Sequence, residues 1–284
     1  MSELQAIRCQ ACGGTVAARV GALPACLFCG NEDLVPFEPP ESIEEPVGYI
    51  PFQVTGDAAR KTFVKFAKSS FWYPNDLRRA KLELKHLQLP AWAWSGDLET
   101  HWTALIASNT RSGKRPIAGA DKIHYEQILV PSSGSLKISE LRQLGKYDEE
   151  ALADFDADNA KDPYEISELT RSAAMQKAQN EMELRHRANL KSAKSASTLK
   201  TSCVSHKLEG KPVLVPVYIG AYRYGRGLYR VLVNGQTGQL IGDAPISYWK
   251  VAGAILLGLL VIGGIAAALS VCFGAGGLVM AISG

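Results

Sequence analysis

The last 34 residues, Val251–Gly284, hold no charged side chain, while all 31 basic and 28 acidic residues lie before them. A terminus built this way from Val, Ile, Leu, Ala and Gly matches a membrane span, not a core helix. Val251–Phe273 supplies 23 residues. As a helix that is about 34 Å, enough to cross a hydrocarbon core of about 30 Å with modest tilt. Tyr248, Trp249 and Lys250 precede it, an aromatic pair and a cation of the kind found at the membrane–water boundary. The run Gly274-Ala275-Gly276-Gly277 is expected to end or break the helix, a re-entrant end being the alternative. Ala254/Gly258 and Gly263/Ala267 follow the small-xxx-small pattern that lets helices approach closely, which leaves a homo-oligomer open. Gly and Ala are also simply common in spans. A wholly soluble protein is excluded.

Four of the six cysteines form one pattern: Cys9-x2-Cys12, thirteen residues, then Cys26-x2-Cys29. Each pair runs into a glycine-bearing turn, Cys12-Gly13-Gly14 and Cys29-Gly30-Asn31, where glycine supplies the positive φ of a metal knuckle. Four sulfurs so spaced suit one closed, tetrahedral, structural Zn²⁺, a site without the vacancy that catalysis needs. Residues 1–30 carry Arg8 and Arg19 against Glu3. Four thiolates and the ion would leave this module about −1, the wrong sign for phosphate.

Three observations orient the span. The N-terminus MSELQAIRCQ lacks the pattern of a signal peptide, Lys250 precedes the span with no cation after it, and thiol ligands need reducing surroundings. Residues 1–250 are therefore expected in the cytosol.

Residues 32–54 form an acidic, proline-rich linker, with Glu32, Asp33, Glu38, Glu41, Glu44 and Glu45 and no Lys or Arg. A helix is expected from Thr55 or Asp57, with Phe63, Val64, Phe66 and Ala67 as its apolar face. Between Arg60 and Lys85 lie eight cations against Asp76 and Glu83, interleaved with Phe71-Trp72-Tyr73. Arg60, Lys61, Lys65, Lys68, Arg78 and Arg79 are the candidate partner-binding residues. Their partner is an acidic protein, an anionic lipid or nucleic acid, or they are only the solvated face of a helix pair. The acidic linker is one candidate mask for them.

Two later stretches resemble each other: Leu87–Trp94 followed by Thr100–Ile106, and Val213–Tyr222 followed by Leu228–Val233. Alternating aromatic and β-branched residues suggest two half-buried hairpin units. Pro90 and Pro216 imply an edge, a strand start or a bulge in each. Between them, Ile123–Val130 is expected as a strand and Lys137–Tyr147 to contain a short helix. A long helix is expected from an Asp162 cap, with Pro163 at its first position and Glu165 completing a capping box, to about Ser195. Its distal half is basic (Arg185, Arg187, Lys191, Lys194). Asp154-x-Asp156-x-Asp158 imitates a calcium loop, but Asn159 stands where glycine belongs and Pro163 interrupts it, so an acidic connector is preferred. The five histidines show no ligand pairing in sequence. No nucleophile elbow, dinucleotide motif or phosphate loop occurs, and the chain is read as non-enzymatic.

The paired CxxCG knuckles, FWYPNDLRR, LPAWAW, and VLVPVYIGAYRYGRGLYRVLVNGQTGQLIGDAPISYWK running into the tail resemble a bacterial family of zinc-ribbon proteins with a C-terminal transmembrane helix. Members sometimes carry helicase-like or primosomal names, an activity this chain has no motifs for. Trp92 and Trp94 here flank Ala93, where that family has a single aromatic past the proline. The resemblance implies a single-pass protein of the bacterial inner membrane. The expected fold is α+β: a four-cysteine zinc ribbon (1–31), the linker (32–54), a cytosolic domain of duplicated hairpin units with a long helix (55–247), and the anchor and tail (248–284). The expected role is a scaffold that docks a cytosolic partner at the bilayer, with nucleic-acid binding as the alternative.

Overall fold

The structure is a computed structural model that describes residues 4–11, 13–19, 24–26, 31–38, 42–109, 113–157, 160 and 162–280. Its elements in chain order begin with strands β1 (Leu4–Cys9), β2 (Thr15–Arg19), β3 (Leu34–Pro36) and β4 (Gly48–Tyr49). Helix α1 (Gly56–Phe66), a 3₁₀ turn (Leu77–Arg79), β5 (Leu82–Ala107), β6 (Lys114–Pro131) and α2 (Ile138–Gln143) follow. Then come β7 (Ala153–Asp154), β8 (Tyr164–Glu165), α3 (Arg171–Ala193), β9 (Thr198–Tyr224), β10 (Gly227–Asn234), β11 (Leu240–Gly242) and α4 (Tyr248–Met280).

Strands β5 and β9, 26 and 27 residues long, pair antiparallel from Leu82↔Tyr222 to Leu105↔Thr198. The two similar stretches of sequence are thus neighbours: Leu89 lies opposite Val215, and Pro90 opposite Leu214. Only the second makes a hairpin, β9–β10. In the first, Ser95-Gly96-Asp97 stays within one continuous strand where the register shifts, the extra residue bulging out of the neighbouring strands β6 and β9, with Lys207 of β9 at φ 50°. The strand continues because Trp94 before this point and Leu98 and Trp102 beyond it all find cover under α3. Both prolines stand where a flanking strand stops. The β5–β6 ladder begins one residue after Pro90, at Ala91↔Pro131, and β9–β10 begins after Pro216, at Val217↔Asn234. Neither proline nitrogen is therefore asked for a ladder bond.

The sheet is mixed and buried on both faces at its centre, which explains the unbroken apolar run Val213–Ile219. On one face Leu87, Leu89, Val215 and Val217 pack on Leu141, Leu144 and Tyr147 in and after α2. On the other, α1 covers the Leu82/Tyr222 end through Phe63 and Ala67, and α3 covers Trp92, Trp94 and Leu98 through Ala174, Ala178 and Met182. Two indoles lie flat across glycines on neighbouring strands, Trp94 on Gly210 and Trp102 on Gly119. A Cβ at Gly210 would sit 2.5 Å from the Trp94 ring, so Gly210→Ala is expected to destabilise the fold by about 2 kcal/mol in urea unfolding. An unchanged midpoint would refute this packing.

Several expectations are corrected. The long helix starts at Arg171, not Asp162, because Thr170 Oγ1 accepts from Ala173 N and caps it there. Tyr164 and Glu165 instead form β8, which joins β2 to β5 through Val16↔Glu165 and Gln88↔Tyr164. The N-terminal strands consequently extend the main sheet. The linker's acids do not reach the α1 cations among the described residues: Glu44 grips Arg171 through two 2.8 Å bonds, and residues 47–54 are laid along β9 and the Asn234–Gly235 turn. Finally, α4 runs through Gly274–Gly277 without a break, because glycine weakens a helix but retains its N–H donor.

Candidate functional site

The zinc expected from Cys9, Cys12, Cys26 and Cys29 is corrected. Among the described residues no group of three or more His, Cys, Asp or Glu side chains could hold a metal ion. A tetrahedral cage needs at least three protein ligands, and the two described cysteines of the pattern, Cys9 and Cys26, fall short of that number. Cys12 and Cys29 lie outside the described residues. Cys9 ends β1 and is buried, its carbonyl accepting from Gly13 N, while Gly13 has the positive φ of 75° expected for that turn. The buried Cys26 offers its carbonyl to Lys85 Nζ.

The basic–aromatic stretch lies against the first turn of α4. Lys250 Nζ donates to Phe71 O, Tyr73 O and Asn75 Oδ1 at 2.8–2.9 Å and sits 5.1 Å from the Phe71 ring centre. Ser247 N donates to Trp72 O. One cation therefore ties the loop between α1 and β5 to the base of the apolar helix. Around that base Phe71, Trp72, Ile246, Tyr248 and Trp249 are exposed, Trp249 at 89%. Of the six candidate cations, Lys61 and Lys65 project from the exposed side of α1, opposite its buried Ala59 and Phe63, and Lys68 is exposed in the turn that follows its C-cap Ala67. Arg78 and Arg79 are exposed on the 3₁₀ turn. Arg60 donates a hydrogen bond to Leu82 O at the start of β5. A cavity of about 430 Å³ opens here between Lys68, Ser70, Arg78 and Lys250. The arrangement presents cations, polar donors and exposed rings side by side at the foot of a helix apolar and long enough to cross a membrane, with Tyr248–Ile265 wholly unburied.

At the far end of the β5–β9 ribbon a second grouping emerges. Asp97, Glu99 and His101 alternate onto the sheet face opposite α3 and meet His124 from β6 and His206 from β9. His124 Nδ1 lies 2.7 Å from Asp97 Oδ1, and this bond holds the Asp97 carboxyl below its usual range. Glu99 lies 3.5 Å from His101 and 3.9 Å from His206. The grouping includes no described metal cage. It is an open, charged face with Val204 exposed in its midst. The histidines are up to 105 positions apart in sequence, so only the β5–β6–β9 register unites them. The readable trace was the i, i+2 spacing of Asp97, Glu99 and His101. No family model, curated protein or solved structure matches this chain.

Proposed function

We propose that this chain is a membrane-anchored scaffold whose basic–aromatic base rests on an anionic leaflet, and whose ribbon holds a docking face away from the bilayer for a cytosolic partner. The observation that carries this reading is the Lys250 clip, because it puts the cations of α1 and the 3₁₀ turn at the root of the apolar helix. Acidic headgroups lie at that level in a cytoplasmic leaflet, and each nearby Lys or Arg gains about 1 kcal/mol from them. Exposed Trp and Tyr rings favour the same interfacial layer. Nucleic acid is the poorer occupant, since the bilayer would crowd a duplex out of this corner. From base to tip β5 and β9 stay paired for over twenty residues, up to about 75 Å of strand contour at ~3.3 Å per residue. That suits a spacer.

The test uses the ribbon's outer face. Cys203 is half-buried beside Thr100, whereas its neighbour Val204 is 54% exposed, so Val204→Cys is the better reporter. A membrane-impermeant maleimide is expected to leave the substituted position 204 unlabelled in intact cells and to label it after lysis. Labelling in sealed cells would invert the orientation and remove the cytosolic scaffold reading.

A further inference from the structure

The cavity of about 430 Å³ at the foot of α4 is lined by Lys68, Arg78 and Lys250, and by no Asp or Glu. Asp76, beside it in sequence, is turned to Tyr224 Oη, which donates to Asp76 Oδ1 at 2.7 Å. Lys68 and Arg78 are exposed, and neither side chain makes an ion pair among the described residues. The buried Ala67 and Pro74 complete the lining with apolar surface, which reduces the screening of these charges by water.

The neutral groups of the lining have their acceptors already engaged and their donors left over. Asn75 Oδ1 accepts from Lys250 Nζ at 2.8 Å, which leaves the amide its N–H groups to offer. Ser70 Oγ accepts from Trp72 N at 3.2 Å, so its O–H remains to donate. Phe71 O and Tyr73 O are also taken by Lys250. Carbonyls at the end of α1, which would repel an anion, bond to their own chain: Lys65 O to Lys68 N, and Phe66 O to Ser69 N and Ser69 Oγ. Lys250, with its three donors spent, adds charge and holds the rim in place. Lys68 and Arg78 are left to make direct contacts.

We infer that this cavity seats a terminal phosphate monoester, carried by a lipid headgroup or by a small soluble molecule. A monoester brings nearly two negative charges and three acceptor oxygens. These match the two available cations and the Ser70 and Asn75 donors. Arg78 supplies the planar fork that grips two oxygens at once. A phosphodiester or a carboxylate brings a single charge and two free oxygens, so either is the weaker occupant. The lipid source rests on the anionic-leaflet reading above, since a headgroup reaches the cavity only where the foot of α4 meets a bilayer.

Calorimetric titration of the full chain in neutral detergent tests the site. The probes are dihexanoyl phosphatidic acid as lipid monoester, dihexanoyl phosphatidylserine as lipid diester and glycerol 3-phosphate as soluble monoester. Saturable one-site binding of at least one monoester is expected, about tenfold or more tighter than phosphatidylserine. Phosphatidic acid as the tighter monoester assigns the lipid source, and equal affinities assign the soluble one; either result supports the site. Arg78→Ala, exposed and so safe for folding, should weaken monoester binding at least about tenfold. Asn75→Asp keeps an oxygen for Lys250 but replaces the amide donors with negative charge, and should weaken it by as much. Lys81→Ala, an exposed cation outside the cavity, should change it by less than about twofold. No saturation by either monoester up to about 10 mM would overturn the inference. So would equal losses in Arg78→Ala and Lys81→Ala, or phosphatidylserine binding as tightly as both monoesters. Those results would leave the leaflet reading standing, because adsorption to acidic vesicles measures it separately. Lost adsorption with glycerol 3-phosphate still saturating would remove the leaflet reading and keep the site.

Discussion

Removal of Val251–Gly284 is expected to shift the protein from the membrane pellet to the supernatant at raised salt. The deleted segment is the charge-free part of helix α4, whose span Tyr248–Ile265 has mean hydropathy 1.8 and none of its residues buried against the rest of the chain. Among the described residues of the deleted segment none is buried, so the sheet domain should remain folded. The truncated protein then exposes the weaker attachment that the anchor masks. With the Lys250 clip retained, it should still bind phosphatidylserine-rich vesicles and not phosphatidylcholine ones. Six cations at about 1 kcal/mol each bound that binding at about 6 kcal/mol, a dissociation constant in the tens of micromolar. Replacing Lys61, Lys65 and Lys68 with Glu should lower it about a hundredfold or more, and raised salt should do the same. Vesicle sedimentation measures both. Equal binding to neutral and acidic vesicles, or indifference to the three reversals, would remove the lipid reading of this face while leaving the anchor intact.

Glu165 should make stability pH-dependent. It sits in β8 at the junction between the N-terminal strands and the main sheet, 2% exposed, with Ser135 Oγ donating to its carboxylate. Burial raises its pKa from 4.5 to about 7, and Glu168 adds to the rise. Ser133, Ser135 and Arg230 oppose it. The folded state therefore holds a proton that the unfolded chain has lost between pH 4.5 and 7. Stability contributed by this group is full below 4.5, falls as pH rises through that window, and levels off above 7. The span corresponds to about 3 kcal/mol. Glu165→Gln, which cannot ionise, should match the wild type near pH 4.5 and exceed it by up to about 3 kcal/mol at pH 8 in urea unfolding of the truncated protein. Parallel pH profiles for the two proteins would show that the carboxyl titrates normally.

Local chemistry alone determined the parts of this protein that depend on neighbours in sequence. A charge-free run needs no partner to become an apolar helix, because backbone bonds within it are self-sufficient. Thr55 caps α1 through Ala58 N, and Asn234-Gly235 closes a turn, for reasons confined to a few residues. Tertiary structure decided what depends on register. Ser95-Gly96-Asp97 has the composition of a turn, yet it continues a strand opposite bulges in β6 and β9, because α3 rewards Trp94, Leu98 and Trp102 on a single face. Asp162-Pro163 and Glu165 carry the pattern of a helix start, yet β2 and β5 claim Tyr164 and Glu165 first and the cap passes to Thr170. Lys250 meets Phe71, Tyr73 and Asn75 across at least 175 positions. Such encounters are set by which strands pair and in which register. A pairing is chosen by the burial it gives the whole sheet, so residues drawn together by it leave no periodic mark on their own stretch of chain.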